Sequence, residues 1–554
     1  MNIKKLCAAL SALCMANAVF SAQTLRVVSR AEDKTGVWSD AYLSINDAIA
    51  AARTGEEASH DTILVASGTY NIDAPITVPE NAKLWLAIRS ANIETGDEDR
   101  DGTILNGGGT TQIMKILSAA VTVSGFTFQD GYLESASYTS YNGGAAIYAP
   151  KHKVVVRNCV FRGNRTVNAA GTCICCSGSG HTLTVSRCVF TNNTQDVNIS
   201  GKAAKGLAVF CQNSTVTVED CLFDNNRATA ESMNGLLTAG EGKGWQFDGC
   251  TFLTNTFAKT GTAAATHYAG CVNLYGSSAM RNCRFSCNAF GATGSDAVAG
   301  SILNVADSCM LSNCTFTSIV DSNNDSSLGT IRVVGNDVSF IDCAFTENEF
   351  GRYFIEIDAK TNTLFRNCLF ADNKRKATYY RIVRQNGCPA GAGLVLENCT
   401  FANNTDMIGG TEVHMIGSGG TSSCTNIYVN TVFTGYLHPA PSGIRTIARN
   451  CCFGSLYNDN FLEKTDCFMI SDVPACDLKF MDASHGDYAL QRKSPLREMG
   501  RMLPWMTVDA VDLGGGLRVV SGTGEPLAVD PSALPDIGCY ECALKPLGLS
   551  LNIR

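Results

Sequence analysis

The sequence lacks the features that mark membrane-spanning, nucleic-acid-binding or disordered proteins. After residue 22, no stretch carries the roughly 20 apolar residues of a transmembrane helix, so we expect no membrane span. Asp and Glu (51) outnumber Lys and Arg (43), and the net charge of −8 argues against nucleic acid as a partner, because phosphate binding needs a basic surface. With 45% hydrophobic and only 17% charged residues, the chain is not of the disordered class.

Several catalytic signatures are missing as well. The sequence has no glycine-rich phosphate loop, no CxxCH haem motif and no grouping of Ser, His and Asp of the kind used in nucleophilic catalysis. The 7 histidines are scattered singly, which is typical of structural or exposed side chains. These absences leave two classes of function: ligand binding, and catalysis by other charged side chains.

The first 22 residues have the layout of a secretory signal peptide. Lys4 and Lys5 precede an apolar run, which ends in small residues such as Ala18 and Ala22. We therefore exclude residues 1–22 from the fold. We expect an exported protein that is secreted or held at the outer cell surface.

A short pattern recurs along most of the chain: Cys, an aromatic residue two positions later, and Asn three positions further. It reads NCVFRGNR at residues 158–165 and returns as RCVFTNNT, DCLFDNNR, NCRFSCNA, DCAFTENE, NCLFADNK and NCTFANNT. The period of about 30 residues indicates a repeat architecture. The register extends to Phe126, Thr431 and Cys452, and its cysteines are Cys159, Cys188, Cys221, Cys250, Cys283, Cys314, Cys343, Cys368 and Cys399.

Each period contains short runs of alternating apolar residues, such as KVVVRNCVF at 153–161, bounded by Gly, Asn and Ser. This alternation predicts β-strands, and no stripe of apolar residues at helical spacing accompanies it. Roughly three short strands per period, stacked about 4.8 Å apart, predict a parallel β-helix of about 12 rungs. We place this all-β solenoid at residues 81–460 and expect a monomer.

The repeated pattern is predicted to be structural. Cys159 and Phe161 lie two positions apart on a strand, so both point to one face, the interior of the coil. Asn164 follows the strand at a corner, where Asn tolerates the left-handed conformation and its amide can bond from rung to rung. Asn193 and Asn226 repeat this position.

The chain has 26 cysteines, and disulfides are the usual expectation in an exported protein. In the repeat, however, in-register side chains leave the Cβ atoms about 4.8 Å apart, beyond the ~3.8 Å that a disulfide prefers. We therefore predict buried thiols there. Outside the repeat, Cys467 with Cys476 and Cys539 with Cys542 are candidate disulfides, with zinc binding by these four as the alternative.

The N-terminal segment is predicted to cap the coil. SINDAIAAARTG begins with Ser44 as a helix cap and ends at Gly55, and it places Ile45, Ala48 and Ile49 on one face. A stacked coil needs such a lid, because its end would otherwise expose unpaired strand edges. We assign residues 23–80 to this cap and the first strand.

Further motifs carry a family resemblance over nearly the whole mature chain. The capping helix, DTILVASGTY, TILNGGG and VTVSGFTFQDG resemble the opening of bacterial right-handed β-helix proteins related to pectate lyases. GGAAIY at 143–148 and the recurring FxxN are similar to the repeats of polymorphic outer-membrane proteins. The resemblance implies a right-handed coil and an extracellular polysaccharide or cell-surface glycan as partner.

The C-terminal residues 461–554 resemble the small domain called choice-of-anchor Q. GDYALQRKSPLREMG, DAVDLGGGLRV and DIGCYE carry its marks, which fall on Ser494, Pro495, Gly500, Asp512, Gly516, Arg518, Asp536, Gly538, Tyr540 and Glu541. The final ALKPLGLSLNIR has neither an apolar spanning run nor a basic cluster, in contrast to the sorting tail that often follows this domain. The paired aspartates and GHG motif of polygalacturonases do not occur in order.

One acidic loop suggests a calcium site. DEDRDG at 97–102 puts Asp97, Asp99 and Asp101 at alternate positions before Gly102, as in the first half of a calcium-binding loop. The twelfth position, which should be a bidentate Glu, is Gly108. The alternative is a solvated acidic loop.

A second candidate site is a row of charged residues on the outside of the coil. Alignment backward from each repeat Cys places Arg332, Glu356 and Arg381 in neighbouring rungs. Arginines in such a row can hold an acidic sugar, and Arg, Lys or His can abstract the proton α to its carboxyl group. The alternative is a ladder of surface ion pairs. The other candidates are Asp358, Lys360, Arg384, His414 and Arg445.

Two functions remain open at this point. One is a secreted or cell-surface scaffold that binds or displays without catalysis, directed toward glycans. The other is a lyase that cleaves a uronate-containing polysaccharide by β-elimination, with the charged row as its site and calcium as a cofactor. Fold alone does not separate them, because function depends on the site; the weak acid/base grouping favours the scaffold.

Overall fold

The structure is a computed structural model. It describes residues 22–53, 60–80, 85–117, 120–139, 143–150, 153–178, 180–235, 237–239, 244–260, 268–292, 301–321, 329–376, 381–407, 414–419, 423–439, 443–521 and 524–542. The predicted signal peptide lies outside this range except for Ala22. In the described residues, no helix is long and apolar enough to cross a membrane.

The N-terminal cap is the α-helix Ile45–Ala51. The Ser44 side chain accepts a hydrogen bond from the Asp47 N–H, and Ile45, Ala48 and Ile49 are buried against the first strands. The predicted capping helix is therefore confirmed, although it ends four residues before Gly55. Short 3-10 helices occupy Ala31–Asp33, Gly36–Trp38, Ile470–Asp472, Pro474–Cys476 and Ala483–His485.

Three parallel sheets form the coil, and we call them A, B and C; sheet C spans residues 132–406, and sheets A and B extend beyond it at both ends. Sheet A contains Thr24–Val27, Asp61–Ala66, Trp85–Ala91, Ala120–Ser124, Lys153–Arg157, Thr182–Ser186, Thr215–Glu219, Trp245–Asp248, Ala279–Arg281, Met310–Ser312, Ser339–Ile341, Thr363–Arg366, Leu394–Glu397, Thr425–Val429, Arg445–Arg449 and Glu463–Thr465. Sheet C contains Tyr132–Thr139, Arg165–Ala169, Thr194–Asp196, Arg227–Ala230, Thr256–Lys259, Ala289–Ala292, Val320–Asp321, Glu349–Phe350, Lys374–Arg375 and Thr405–Asp406.

Sheet B consists of two stacks of strands. The first stack follows sheet A along the chain: Gly68–Asn71, Thr103–Asn106, Thr127–Gln129, Val160–Arg162, Val189–Thr191, Leu222–Asp224, Thr251–Leu253, Arg284–Ser286, Thr315–Thr317, Ala344–Thr346, Leu369–Ala371, Thr400–Ala402, Val432–Leu437, Cys452–Leu456 and Phe468–Met469. The second stack follows sheet C: Ile76–Val78, Met114–Ile116, Ile147–Tyr148, Ile174–Cys176, Val209–Cys211, Leu237–Ala239, Tyr268–Leu274, Ser301–Val305, Ile331–Val333, Tyr353–Ile357, Arg381–Asn386 and His414–Gly419, with Ala203–Lys205 and Ser232–Asn234 beside it.

Strands of neighbouring rungs pair in parallel along the coil, with register shifts in three pairs, at Glu134/Thr139, Ala269/Val272 and Phe433/Tyr436. Phe161 lies opposite Phe128 on one side and Phe190 on the other, and the same register continues to Phe453. The predicted parallel β-helix is therefore confirmed. One antiparallel pair, Phe480–Asp482 with Asp487–Leu490, follows the coil.

The repeat places its aromatic rings in one interior stack. Adjacent phenylalanine rings are stacked with centroids from 4.3 Å (Phe370–Phe401) to 5.9 Å (Phe433–Phe453) apart. Offset ring contacts of this kind add to the large apolar area that each ring buries. The interior of the coil is thus a continuous hydrophobic core along its axis.

The nine repeat cysteines are buried in the same core as free thiols. Each lies two positions before a stacked ring, and burial raises the pKa of Cys188 and Cys368 well above the usual range. The pairing of the strands also corrects one predicted position of the repeat, Cys452. Because Phe453 continues the ring stack, Cys451 rather than Cys452 lies two positions before it, and Cys452 packs outward in a separate cluster.

The asparagines of the repeat form a buried hydrogen-bonded ladder. The Asn193 amide oxygen accepts from the backbone and side-chain N–H groups of Asn164 at 3.0 Å, and the Asn193 side chain donates to Asn226 at 2.9 Å. The prediction that these residues adopt the left-handed conformation is wrong. The preceding residue does so instead, as at Gly163 (φ 67°) and Asn192 (φ 57°), because this leaves the ladder amide pointing inward.

The disulfides predicted outside the repeat are not present, since every cysteine in the described residues is free. Cys467 falls in the interior row opposite Cys451, whose N–H lies 3.4 Å from its sulfur, while Cys476 is exposed. The described residues also contain no cluster of three metal-ligating side chains, so the zinc alternative has no site among them.

Residues 473–542, which we call the C-terminal segment, lie along the first stack of sheet B. Side chains at the corners after sheet A donate to backbone carbonyls of this segment: Asn367 to Val511 at 3.0 Å and Asn430 to Arg501 at 2.9 Å. The Cys539 N–H donates to the Thr400 hydroxyl at 3.1 Å. The predicted domain boundary at residue 461 stays a prediction, and parallel pairing of the coil continues to Met469.

Candidate functional site

The predicted charged row lies on the outer side of the second stack of sheet B. Ile331, Val333, Ile355 and Ile357 point into the core, so the alternation of the strands turns Arg332 and Glu356 outward. The register pairs Arg332 with Glu356, Glu356 with Arg384, and Arg384 with Gly417.

Arg381 lies in the rung next to that of Glu356, but its register is displaced by three residues from the approximate alignment made from the sequence. Arg381 lies in register with Tyr353 and His414, and Arg384 takes the place beside Glu356. The physical reason is that the connection between the repeat Cys and the second stack varies in length from rung to rung. An alignment that counts residues backward from each repeat Cys therefore does not give the exact register of the second stack.

Four of the predicted residues form one ion-pair network. Arg332 donates to Asp358 at 2.8 Å and lies 3.9 Å from Glu356, and Arg384 donates to the other Glu356 oxygen at 2.9 Å. The Glu356 side chain is only 2% exposed. Burial, with the nearby charge of Asp358, raises the pKa of Glu356, and the two arginines oppose that rise.

Arg381 adds a third arginine to this surface. Its side chain is partly buried, and that burial, together with the positive charges of Arg384 and Arg375, lowers its pKa. Among the described residues, this surface thus carries Arg332, Arg381 and Arg384 together with Glu356 and Asp358. Guanidinium groups are suited to bind anionic groups of a ligand.

The aromatic residues of this surface were not among the predicted site residues. The Arg384 guanidinium lies 4.4 Å from the Tyr353 ring centroid, in cation–π geometry. The His438 ring stacks on Tyr457 with centroids 4.5 Å apart, and Tyr436 meets Tyr457 edge to face at 6.2 Å. Burial and the charge of Arg381 lower the pKa of His438. Tyr436 lies opposite His414 in register, a signal that the sequence contains only once the strands are aligned.

We call this surface the arginine–tyrosine face, comprising Arg332, Tyr353, Glu356, Asp358, Arg381, Arg384, Tyr436, His438 and Tyr457. Tyr457 is its most open member, 60% exposed. The combination of cationic side chains and accessible rings is suited to a ligand that has both carboxylates and apolar ring faces.

The remaining predicted residues are placed as follows. Lys360 is exposed after the strand end, where its N–H donates to the Asn336 side chain at 2.9 Å. Arg445 is exposed at the start of a strand of sheet A, so it does not join the face. The backbone of His414 lies in register with Arg381, and its side chain lies outside the described residues.

The acidic loop does not form the predicted calcium site, because no three metal-ligating side chains cluster in the described residues. Asp99 instead closes its own turn: it accepts from the Ser67 hydroxyl at 2.6 Å and from the Gly102 N–H at 3.0 Å. Asp101 pairs with Arg100 at 3.3 Å. The carboxylates of Asp99 and Asp101 are thus used within the loop and against neighbouring residues.

A separate cleft of about 670 Å³ lies between a corner of the coil and the C-terminal segment. Asn403, Thr405 and Thr434 line it from the coil, and Phe480 and Tyr488 from the segment. None of the predicted site residues contributes to it, and its lining contains a single carboxylate, Asp477.

Comparison with known proteins supports the fold. Residues 100–290, about a third of the chain, match the family described as right handed beta helix region. Together with the parallel pairing of the strands, this identifies the coil as a right-handed parallel β-helix. Among curated proteins, no sequence matches this chain significantly.

Three solved structures are similar at low identity. The first is ORF18 of Geobacillus virus E2, with 13% identity, a TM-score of 0.25, and 68% of this chain and 57% of that protein covered. Pectate lyase Pel9A has 11% identity, a TM-score of 0.27, and coverage of 95% and 98%. The periplasmic alginate epimerase AlgG has 9% identity, a TM-score of 0.29, and coverage of 74% and 77%. Similarities with such low TM-scores do not indicate a function, so the functional proposal depends on the site alone.

Proposed function

We propose that this protein is an exported, non-catalytic scaffold that binds an acidic polysaccharide on its arginine–tyrosine face. The observation that carries the proposal is that Arg332, Arg381 and Arg384 lie beside an exposed aromatic platform. Guanidinium groups match carboxylates in geometry and charge, and rings pack on the apolar faces of sugars. Export through the N-terminal signal peptide belongs to the same proposal.

The ion pairs favour binding over catalysis. Arg332 and Arg384 are engaged by Glu356 and Asp358, and the buried Glu356 is clamped between them. A general base has to reach the proton that it removes and must lose its own proton at working pH. Arg332 and Arg384 are thus committed to structure rather than to proton transfer.

One observation favours the second candidate, a lyase. Burial and two neighbouring arginines lower the pKa of Arg381, which is the direction that a base for β-elimination requires. In that reaction Arg381 would take the proton α to the uronate carboxyl group, while another cation of the face holds the carboxylate. The glycosidic oxygen would then leave, taking a proton from solvent, and a C=C bond would form in the unsaturated sugar.

A binding and turnover assay separates the two functions. Polygalacturonate, alginate and chondroitin are incubated with the protein, binding is measured by titration calorimetry, and the absorbance of unsaturated product is followed in the same samples. Binding without an absorbance change supports the scaffold, and a steady rise supports the lyase. No binding and no turnover with any of the three polymers overturns both.

A matched variant pair ties the result to the face. Arg381→Ala removes one positive charge from the face, and Arg284→Ala removes one from an exposed position on the first stack of sheet B. The proposal predicts that only Arg381→Ala weakens polymer binding. Equal losses in both variants would indicate attraction by overall charge instead.

A further inference from the structure

Two cysteines meet at the corner of the coil between the second stack of sheet B and sheet A. Cys388 follows the strand Arg381–Asn386, and Cys424 precedes the strand Thr425–Val429 of sheet A. Both are buried and lie outside the row of repeat cysteines. With two aliphatic side chains they form a small cluster of their own, separate from the core of the coil.

A tight turn brings the two cysteines together. The Ser423 N–H donates to the Cys388 carbonyl at 3.0 Å. The Thr425 N–H donates to the Ala392 carbonyl at 3.2 Å. The two acceptors are further apart in sequence than the two donors, so the chain folds back on itself after Cys388. Cys424 therefore lies opposite Ala392 in the sheet and meets Cys388 from the side.

The sulfur atoms of the pair are in contact. The Cys388 thiol forms a hydrogen bond with the Cys424 sulfur, and the Gln385 side chain donates to the same sulfur at 3.4 Å. These bonds favour the thiolate and lower the pKa of Cys424, although burial opposes them. Cys424 thus has the character of an attacking thiol, because the thiolate is the form that reacts with disulfides.

The cysteines of the repeat row are arranged differently. Cys343 and Cys368 are also in thiol contact, but each lies two positions before a stacked ring, and Phe345 and Phe370 pair in register. In-register parallel strands leave the Cβ atoms about 4.8 Å apart, beyond the ~3.8 Å that a disulfide prefers. Each of the two thiols also donates to a carbonyl of its own strand at 3.3 Å. The sideways approach at the corner is free of this spacing.

We propose that Cys388 and Cys424 form a disulfide when the protein meets an oxidising medium that contains small-molecule disulfides. The bond closes the rung between residues 388 and 424 covalently. It thereby fixes the end of the strand Arg381–Asn386 against the next strand of sheet A. This inference does not depend on the ligand proposed for the face.

The reaction is a thiol–disulfide exchange in two steps. The Cys424 thiolate attacks one sulfur of the small-molecule disulfide and releases one thiolate. The Cys388 thiol then loses its proton, attacks the mixed disulfide at the Cys424 sulfur and releases the second thiolate. One S–S bond forms in the protein, and the oxidant is reduced to two thiols. Gly387, Pro389 and Ser423 beside the pair are exposed, so a small opening of the turn admits the oxidant.

The test uses the folded, unmodified protein. It is incubated with excess oxidised glutathione at slightly alkaline pH, quenched with acid, unfolded and alkylated, and its linked peptides are mapped by mass spectrometry without reduction. We expect Cys388–Cys424 to be the main linked pair, while Cys343 and Cys368 are recovered as alkylated thiols. Recovery of both corner cysteines as alkylated thiols, a glutathione adduct on Cys424 that never closes, or equal linkage of Cys343 with Cys368 would each overturn the proposal.

Thermal unfolding gives a second readout. Oxidation should raise the unfolding midpoint of the unmodified protein by a few degrees, because the bond restricts the unfolded chain. Cys424→Ala should lose this rise, since alanine fits the apolar cluster and cannot form the bond. Cys476→Ala, which removes an exposed thiol elsewhere, is the matched control and should keep the rise. A rise that persists in Cys424→Ala would assign the stabilisation to another pair and contradict the proposal.

Discussion

At the scale of single residues, the face depends on one buried carboxylate. Glu356 is almost fully buried and lies between Arg332 and Arg384. A buried ion pair stabilises a fold little in comparison with apolar packing, but the removal of one partner leaves a charge without compensation. Glu356 therefore holds Arg332 and Arg384 in place, although Glu356 itself contacts no ligand in the proposed function.

Arg384→Met tests this dependence. The variant keeps the length of the side chain but leaves Glu356 with only the more distant Arg332, so we expect a loss of about 3 kcal/mol in the free energy of unfolding. Urea denaturation measures it. Arg384→Met combined with Glu356→Gln should recover at least half of the loss, because the amide needs no counter-ion. No recovery in the double variant would show that packing, not charge, dominates.

His438 gives the face a pH dependence with a defined sign. Its pKa is lowered by burial and by Arg381, so it charges only below the ordinary histidine range near 6.5. Above that range it is neutral; as the pH falls through the lowered pKa, the face gains a positive charge. Affinity for trigalacturonate should therefore rise as the pH falls below about 6.5, in the range where the ligand carboxylates stay ionised.

His438→Gln should abolish this rise while the affinity at pH 7.5 changes little. The same shift predicts the opposite trend for stability. The unfolded chain binds a proton at His438 at higher pH than the folded chain does, so His438 lowers stability as the pH falls below about 6.5. A rise in affinity that persists in His438→Gln would assign the pH dependence to another group.

At the scale of structural elements, the asparagine ladder holds the corners together. Asn193 is fully buried; it accepts from Asn164 and donates to Phe161 and Asn226. Buried amide groups of this kind cost about 1–3 kcal/mol each when a partner is removed. The ladder thus fixes the register between neighbouring rungs. It therefore also fixes the register of the strands that carry the arginine–tyrosine face, which follow sheet C along the chain.

Asn193→Ala should lower the free energy of unfolding by about 3 kcal/mol, because it leaves the Asn164 N–H groups and the Phe161 carbonyl without their partner. Asn192→Asp is the matched control, since Asn192 is exposed and Asp tolerates its left-handed backbone. Urea denaturation should give a change within about 0.5 kcal/mol for the control. Equal effects at both positions would contradict a role for the buried ladder.

The structural elements also show which parts of the fold and of the site could be predicted from the sequence. The repeat of about 30 residues predicts the coil, and the two-residue spacing of Cys159 and Phe161 predicts their common interior face, because one strand contains both. The register of Arg381 was not predictable in this way. It depends on connections of variable length, and the exposure of Tyr457 depends on where the coil ends.

At the scale of the whole molecule, the C-terminal segment contacts the coil over several rungs through buried polar contacts. Arg518 is fully buried and donates to the carbonyls of Asp536 and Gly538 at 2.7 and 2.8 Å. In its hydrogen-bonding orientation, the Asn398 amide oxygen of the coil accepts from the same guanidinium at 2.9 Å. Burial raises the pKa of Glu541, and the charge of Arg518 opposes that rise.

Arg518→Met should loosen the C-terminal segment without unfolding the coil. Hydrogen exchange is expected to accelerate in residues 494–542, while sheets A and B remain protected. The reason is that the lost contacts of Arg518 lie within the C-terminal segment and between this segment and Asn398 of the coil. Arg492→Met is the control, since Arg492 is exposed. Uniform acceleration across the coil would show that the segment and the coil unfold as one unit.

The central claim is that a rigid right-handed coil presents an acidic-polysaccharide site on its arginine–tyrosine face. The most direct measurement is the crystal structure of the complex with trigalacturonate. We expect the intact sugar on the arginine–tyrosine face. Sugar bound in the cleft beside Phe480 and Tyr488, or a cleaved and unsaturated sugar on the face, would contradict the account.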